Sequence, residues 1–277
     1  MARSLRLRVF AGPNGSGKST IIEAVRKARV NGKPVDFGVY INADDIARVL
    51  GKGYDLAPFN LNLGADQFLV FAERSGLLDK AFTRVMLEAG MVWKGDKVRS
   101  KPALPKDRVA QLIAQFLYDE LLKAKRKFSF ETVFSHSGKL EMMRRAKASG
   151  YKVYLYFIST EDPAINVQRV KEIRVKQGGH DVPKDKIIGR YIRTMGNLSE
   201  ALSLSYHAYL WDNSKHGAAQ LFCEMKRPES GVVWDIQAEL VPVWFMEHFL
   251  IKHPEDQYLS DTYVDAMNHY LGLYDQQ

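Results

Sequence analysis

Residues 12–19 read Gly12-Pro-Asn-Gly-Ser-Gly-Lys18-Ser19, which satisfies G-x-x-x-x-G-K-[ST] in full. Upstream, Leu5 to Ala11 alternates apolar with basic residues for two pairs and then turns small and glycine-rich, the pattern of a strand running into a loop. Downstream, Ser19 to Ala28 continues as a helix. Strand, loop and helix form the context in which this motif cradles phosphate. Its glycines let successive backbone N–H groups turn inward, the helix N-terminus adds its positive end, and Lys18 reaches the terminal phosphates. The expected nucleotide contacts are Gly12, Pro13, Asn14, Gly15, Ser16, Gly17, Lys18, Ser19 and Thr20, with ATP or GTP as the nucleotide and Ser19 as the ligand of Mg²⁺.

Beyond the loop, a short strand at Val39 to Ile41 precedes an acidic helix start at Ala43, Asp44 and Asp45, completing a β-α-β unit. Helical apolar spacing covers Leu63 to Gly90 and Asp107 to Lys125, and the basic, proline-containing Val92 to Pro105 between them reads as a loop or insertion. Strands follow at Phe128 to Val133, Lys152 to Ile158 and Tyr206 to Trp211. Helices are expected at Ser137 to Ser149, from Asp162 to about Gln177, and singly or as a pair from Pro183 to Leu204. Asp162 before Pro163 is a strong helix start, because the carboxylate caps free N–H groups and proline suits the first helical position. The last 60 residues suggest strands at Leu221 to Met225 and Val232 to Asp235, with helices at Val241 to Ile251 and Tyr258 to Leu273.

The expected fold is therefore α/β, a P-loop NTPase with a mostly parallel central sheet flanked by helices. The P-loop domain is expected over 1–215, with a helical and basic insertion at about 58–126, and a C-terminal α+β extension over 216–277.

Composition supports a folded, water-soluble chain: of 277 residues, 46% are hydrophobic and 26% charged. The net charge of +8 favours anionic partners without choosing among nucleotides, nucleic acid and an acidic protein. The single cysteine, Cys223, excludes an internal disulfide, and no stretch approaches the roughly 20 apolar residues that span a bilayer. A cytoplasmic location is the expectation.

A phosphate-binding loop does not choose a reaction, so the strand ends matter next, where open α/β sheets hold their ligands. Asp44 and Asp45, Glu131 and Thr132, and Asp212 to Ser214 all fall at such ends. Phosphoryl transfer to a hydroxyl needs a carboxylate near the acceptor and cations over the migrating group. Either Asp44 or Asp45 suits the first need; the alternative is that both merely cap their helix. Arg169, Arg174, Arg190 and Arg193 flank Gly178-Gly-His-Asp-Val-Pro183, whose glycines suit the hinge of a lid, and arginine forks suit a transferring phosphate. No strand ends in the apolar run plus aspartate of a second metal motif, which argues against a motor ATPase or helicase.

Taken in order, FAGPNGSGKST at 10–20, YINADDIA at 40–47, FSFETVFSH at 128–136, YKVYLYFIST at 151–160, GGHDVP, RYIR and NLSEAL between 178 and 202, and WDNS at 211–214 resemble the zeta toxin family of P-loop kinases, in its branch outside classical toxin–antitoxin pairs. That resemblance implies transfer of the γ-phosphate to a hydroxyl of a small nucleotide-like acceptor, UDP-N-acetylglucosamine in characterised members and NAD in a related effector branch. It implies Asp44 as the catalytic aspartate, Glu131 and Thr132 on the substrate side with Asn42 and His136, and Arg174 and Arg190 as phosphate clamps, with Arg169 and Arg193 as rivals. A toxic activity neutralised by an antitoxin or immunity protein belongs to the same expectation. Two other readings compete with it: a nucleic-acid-binding or polynucleotide-end kinase, motivated by the charge, and a module that binds ATP without catalysis.

Overall fold

The computed structural model describes residues 4–175, 182–215 and 219–274. Strand β1 (Arg6–Ala11) feeds helix α1 (Lys18–Lys27), a small hairpin of β2 (Arg29–Val30) and β3 (Lys33–Pro34) follows, and then β4 (Val39–Ile41) and α2 (Ala43–Val49). Next come β5 (Tyr54–Asp55), α3 (Ala65–Arg74), α4 (Arg84–Gly90), β6 (Met91–Lys94), β7 (Lys97–Ser100) and the long α5 (Lys106–Lys123). The chain continues through β8 (Phe128–Thr132), α6 (Gly138–Ala148), β9 (Lys152–Ser159), α7 (Pro163–Arg169), α8 (Lys184–Gly196), α9 (Leu198–Leu204) and β10 (His207–Asp212). It ends with β11 (Gln220–Lys226), β12 (Val233–Ile236), α10 (Val243–His248) and α11 (Gln257–Tyr274).

The main sheet has seven strands in the order β12-β11-β10-β9-β1-β8-β4. β4 pairs with β8, and β9 with β10, in parallel; β11 and β12 add antiparallel. This is the α/β, mostly parallel architecture that the opening β-α-β pattern predicts. By its contacts the chain divides into two compact units, residues 1–7 with 36–131 and residues 8–35 with 132–277.

In the second unit β9 is covered on both faces, as a central parallel strand must be: Val153, Leu155 and Phe157 alternate with Tyr156 and Ile158, and all are buried. α7 and α8 meet through Val167, Val170 and Ile187. The C-terminal segment contributes Trp244, fully buried, with its ring 5.9 Å from Phe157 and 5.4 Å from Phe222. A buried indole N–H needs an acceptor. Asp212 supplies it, at 2.9 Å.

The first unit is built on α5, where Val109, Leu112, Ile113, Phe116 and Leu117 follow the 3.6-residue period and are buried. Phe68 from α3 packs edge-on against Phe116 at 5.5 Å and against Trp93 at 5.6 Å.

Three local expectations need correction. Leu63 to Gly90 is two helices, because Gly76 breaks the chain and Asp79, which accepts from Ala81 N–H and Arg108, organises a turn before Thr83 caps α4. Val92 to Pro105 is no plain loop: Met91–Lys94 and Lys97–Ser100 form a hairpin around Gly95-Asp96, and β5 joins it as a third strand. Its alternation, with Val98 and Ser100 buried and Lys97 and Arg99 exposed, is masked in sequence by shortness and charge. The helix begun at Asp162 is α-helical only to Arg169 and continues as a π-helix over Val170–Val175; Gln177 lies outside the described residues.

Replacing Trp244 with alanine is expected to lower unfolding free energy by ~3–5 kcal/mol through the cavity left among Phe157, Phe222 and Phe245. Trp244→Phe should cost about 1 kcal/mol by removing the indole donor to Asp212, whose carboxylate keeps its bonds from Ser214. Urea denaturation followed by far-UV circular dichroism measures both, and wild-type stability in Trp244→Phe would show that the bond to Asp212 contributes nothing.

Candidate active site

The phosphate loop lies where the motif demands, between β1 and α1, and its shape comes from its glycines. Gly17 is the N-cap of α1 at φ 93°, with no side-chain cap, so the first N–H groups of the helix point outward without an intrahelical acceptor. A Cβ at Gly17 would strike the side-chain amide of Asn213, and one at Gly12 would strike the carbonyl of Ile158 and lie 2.8 Å from Ser16 Oγ. Lys18 is buried and donates from Nζ to the carbonyls of Gly12 and Pro13 at 3.0 and 2.9 Å. Ser16 Oγ is buried and has no hydrogen-bond partner among the described residues. Ser19 and Thr20 are exposed in the first turn of α1. An uncapped helix start, a buried ammonium and an orphaned hydroxyl on one loop fit a triphosphate.

Of the three arginines whose side chains are described, Arg190 and Arg169 reach this loop's surroundings. Arg190, on α8, approaches Asn14 Oδ1 with Nη1 at 3.4 Å. Arg169 donates to the carbonyl of Asn213 at 2.7 Å. Arg193 is exposed further along α8. The side chain of Arg174 and residues 178–181 of the expected lid lie outside the described residues.

Past β8 the chain makes a constrained turn. Thr132 Oγ1 accepts from Phe134 N–H at 3.1 Å, and Phe134, buried, adopts φ 64°, a left-handed conformation that costs a non-glycine residue about 1–3 kcal/mol. α8 holds it there: Thr194 Oγ1 donates to the Val133 carbonyl at 2.7 Å and Asn197 Nδ2 to the Phe134 carbonyl at 2.9 Å. His136 is exposed and accepts from Gly138 N–H at Nδ1. Tyr191 donates to the carbonyl of Thr160, and burial pushes its phenol well above the usual range.

In the first unit, Glu131 Oε2 accepts from Tyr40 OH and from Asn42 Nδ2, each at 3.2 Å. Asn42 is also the N-cap of α2, its Oδ1 accepting from Asp44 N–H at 2.9 Å. The cap is thus Asn42, and neither aspartate is spent on it. Asp45 is paired with Arg48 at 2.9 Å, while both aspartates are solvent-exposed on the first turn of α2. Nearby, burial and then the charges of Asp45 and Asp55 push the Tyr54 phenol up to about 12.

The sequence passed over Asn166 and Thr194, and named Asn213 only within a strand-end cluster. Asn166 Nδ2 donates to the Asn14 carbonyl at 2.8 Å, and Asn213 Nδ2 to the Ser16 carbonyl at 2.9 Å. The one available signal was an asparagine four residues into a helix that follows a strand end, a common pattern.

No family model matches the chain. Over 64 residues, 23% of its length, it is 36% identical to an uncharacterized protein of Haemophilus influenzae, and the match covers 45% of that protein. Its structure superposes on a chain of the AvrRxo1-ORF1:AvrRxo1-ORF2 complex solved with sulphate ions, with a TM-score of 0.50, 14% identity, and coverage of 86% of this chain and 62% of that one. The same complex solved with ATP aligns with a TM-score of 0.50 at 12% identity, covering 96% of this chain and 77% of that one. The chain has this fold. It spans less than two thirds of the first of those chains, and less than half of the Haemophilus relative is matched.

Placing alanine at Gly17 forces φ 93° on a residue with a Cβ and drives that Cβ into the Asn213 amide. The expected result is at least about a tenfold loss of ATP affinity, measured by isothermal titration calorimetry. Unchanged affinity would show that the geometry of this loop does not govern binding.

Proposed function

We propose that this protein is an ATP-dependent kinase of the zeta toxin type, transferring the γ-phosphate to a hydroxyl of a small nucleotide-like acceptor. The observation that carries the reading is the phosphate loop, with its uncapped helix start, buried Lys18 and unpartnered Ser16 hydroxyl. The fold shared with a complex solved with ATP supports it, as do the ordered motifs that resemble the zeta toxin family.

In this reading the backbone N–H groups of the loop and Lys18 hold the β- and γ-phosphates, and Arg190 neutralises charge as the phosphoryl group moves. Arg174 is proposed as its partner in that role. Ser19 would hold Mg²⁺, which neutralises charge on the phosphate oxygens when bound. Asp44 takes the proton from the acceptor hydroxyl, whose oxygen forms the new bond to phosphorus as the bond to ADP breaks. The motif resemblance selects Asp44 over its neighbour. Glu131, oriented by Tyr40 and Asn42, is proposed to accept hydrogen bonds from acceptor hydroxyls. Thr132 and His136 are proposed as further acceptor contacts, with UDP-N-acetylglucosamine or a related nucleotide as the first candidate.

The reading includes a neutralising partner protein, because the structural neighbour is a two-protein complex. No helix among the described residues is long and apolar enough to cross a membrane, and a cytoplasmic site of action is proposed.

The test is incubation with γ-labelled ATP and a small-metabolite extract, with the product identified by mass. The expected product is a labelled acceptor that disappears in Lys18→Ala and forms at least about a hundredfold more slowly in Asp44→Asn, while Asp44→Asn still binds ATP. Full activity in Asp44→Asn would remove Asp44 as the base. Absence of any labelled acceptor under conditions where ATP binds would favour a non-catalytic nucleotide-binding module.

A further inference from the structure

A loop that turns its N–H groups toward an anion turns its carbonyls toward the protein, and each buried carbonyl then needs a donor. Lys18 serves those of Gly12 and Pro13. Those of Asn14 and Ser16 are served from 152 and 197 residues away by the side-chain amides of Asn166 and Asn213. We propose that Asn166 and Asn213 are positioning residues for nucleotide binding, a pair of amide clamps that hold the phosphate loop open to its ligand before the ligand arrives.

Four features argue that these amides are set to hold the loop. Asn166 is fully buried, and its other end is occupied, since Oδ1 accepts from Thr160 Oγ1. With both ends engaged, the donor end is fixed on the loop. Asn213 is anchored through its backbone, its N–H donating to the Ser159 carbonyl at 2.8 Å and its carbonyl accepting from Arg169 at 2.7 Å. Its amide also fills the space above Gly17, so the absence of a side chain at Gly17 and the presence of an amide at Asn213 are two halves of one contact. Both asparagines follow the C-terminal ends of strands on the same side of β1, Asn166 on α7 after β9 and Asn213 directly after β10.

Only a donor serves. A carboxylate at position 213 would set an acceptor against the Ser16 carbonyl and place negative charge beside the phosphate loop, at nearly unchanged volume. Asn213→Asp therefore keeps the packing while removing the donor and adding a charge, and Asn213→Ala removes the donor without the charge, so the hydrogen bond is implicated when both lose affinity. This inference rests on the nucleotide-binding reading, and so the experiment reads nucleotide affinity directly, without the acceptor.

Wild-type protein, Asn213→Asp, Asn213→Ala and Asn166→Asp are titrated with MgATP and MgADP by calorimetry, and each is melted without nucleotide. The expected result is a loss of about tenfold or more in affinity for both nucleotides in Asn213→Asp, with a nucleotide-free melting temperature close to wild type. A purely structural asparagine would lower the melting temperature and leave the affinity of the folded fraction unchanged, and that result, or wild-type affinity in folded Asn213→Asp, overturns the proposal. Should Asn213→Asp not fold, Asn213→Ala, which removes the donor without adding charge, is held to the same criterion. Failure of the wild-type protein to bind MgATP overturns the nucleotide reading itself and the clamp with it, an outcome distinct from wild-type-like binding by the variants.

Discussion

Everything at the phosphate end of this molecule follows from one constraint: a backbone that offers its N–H groups to an anion must satisfy its carbonyls elsewhere. Glycines permit the turn, but permission is not shape. The carbonyls of Gly12, Pro13, Asn14 and Ser16 accept from one ammonium and two amides supplied by side chains, and that of Pro13 also from the Ser16 N–H. Water would otherwise compete for these groups, and a loop ordered only by its ligand would lose affinity to the entropy of ordering. The sheet order makes the arrangement possible, because β9 and β10 succeed β1 across the sheet and bring the segments after them to the loop.

Helix α8 extends that constraint away from the loop. Arg190, Thr194 and Asn197, spaced by four and three residues on one face, touch in turn Asn14 of the phosphate loop and the carbonyls of Val133 and Phe134. A single rigid element thus spaces the phosphate loop from the turn after β8, where Thr132 is held by the left-handed Phe134. Thr194 on α8 and Asn197, its C-cap, brace the turn of the strained, buried phenylalanine with two hydrogen bonds. In the first unit the equivalent economy is in Asn42, which caps α2 with one end of its amide and orients Glu131 with the other. The cap of α2 is therefore made by an amide and not by either of the aspartates that follow it.

The α/β fold was legible because the phosphate motif is contiguous and its glycines have a local physical meaning. Glu131 at its strand end and the helix start at Ala43 also fall where they are expected, since period and helix-start signals are short-range properties. Asn166, Thr194 and Asn197 could not be seen acting on carbonyls, because those bonds join segments 61 to 152 residues apart through backbone atoms that every residue possesses. The hairpin at 91–100 was obscured for a different reason: its strands are four residues long and carry basic residues, giving too few alternations to stand out from a loop. The π-helical turn over Val170–Val175 has no sequence signature of its own.

The most direct test of this account is a crystal structure grown with Mg²⁺ and a non-hydrolysable ATP analogue. The account predicts the β-phosphate seated on the backbone N–H groups at the start of α1, with the bonds from Asn166 to the Asn14 carbonyl and from Asn213 to the Ser16 carbonyl retained. A nucleotide bound elsewhere, or a phosphate loop that has released both amides and refolded around its ligand, would contradict it.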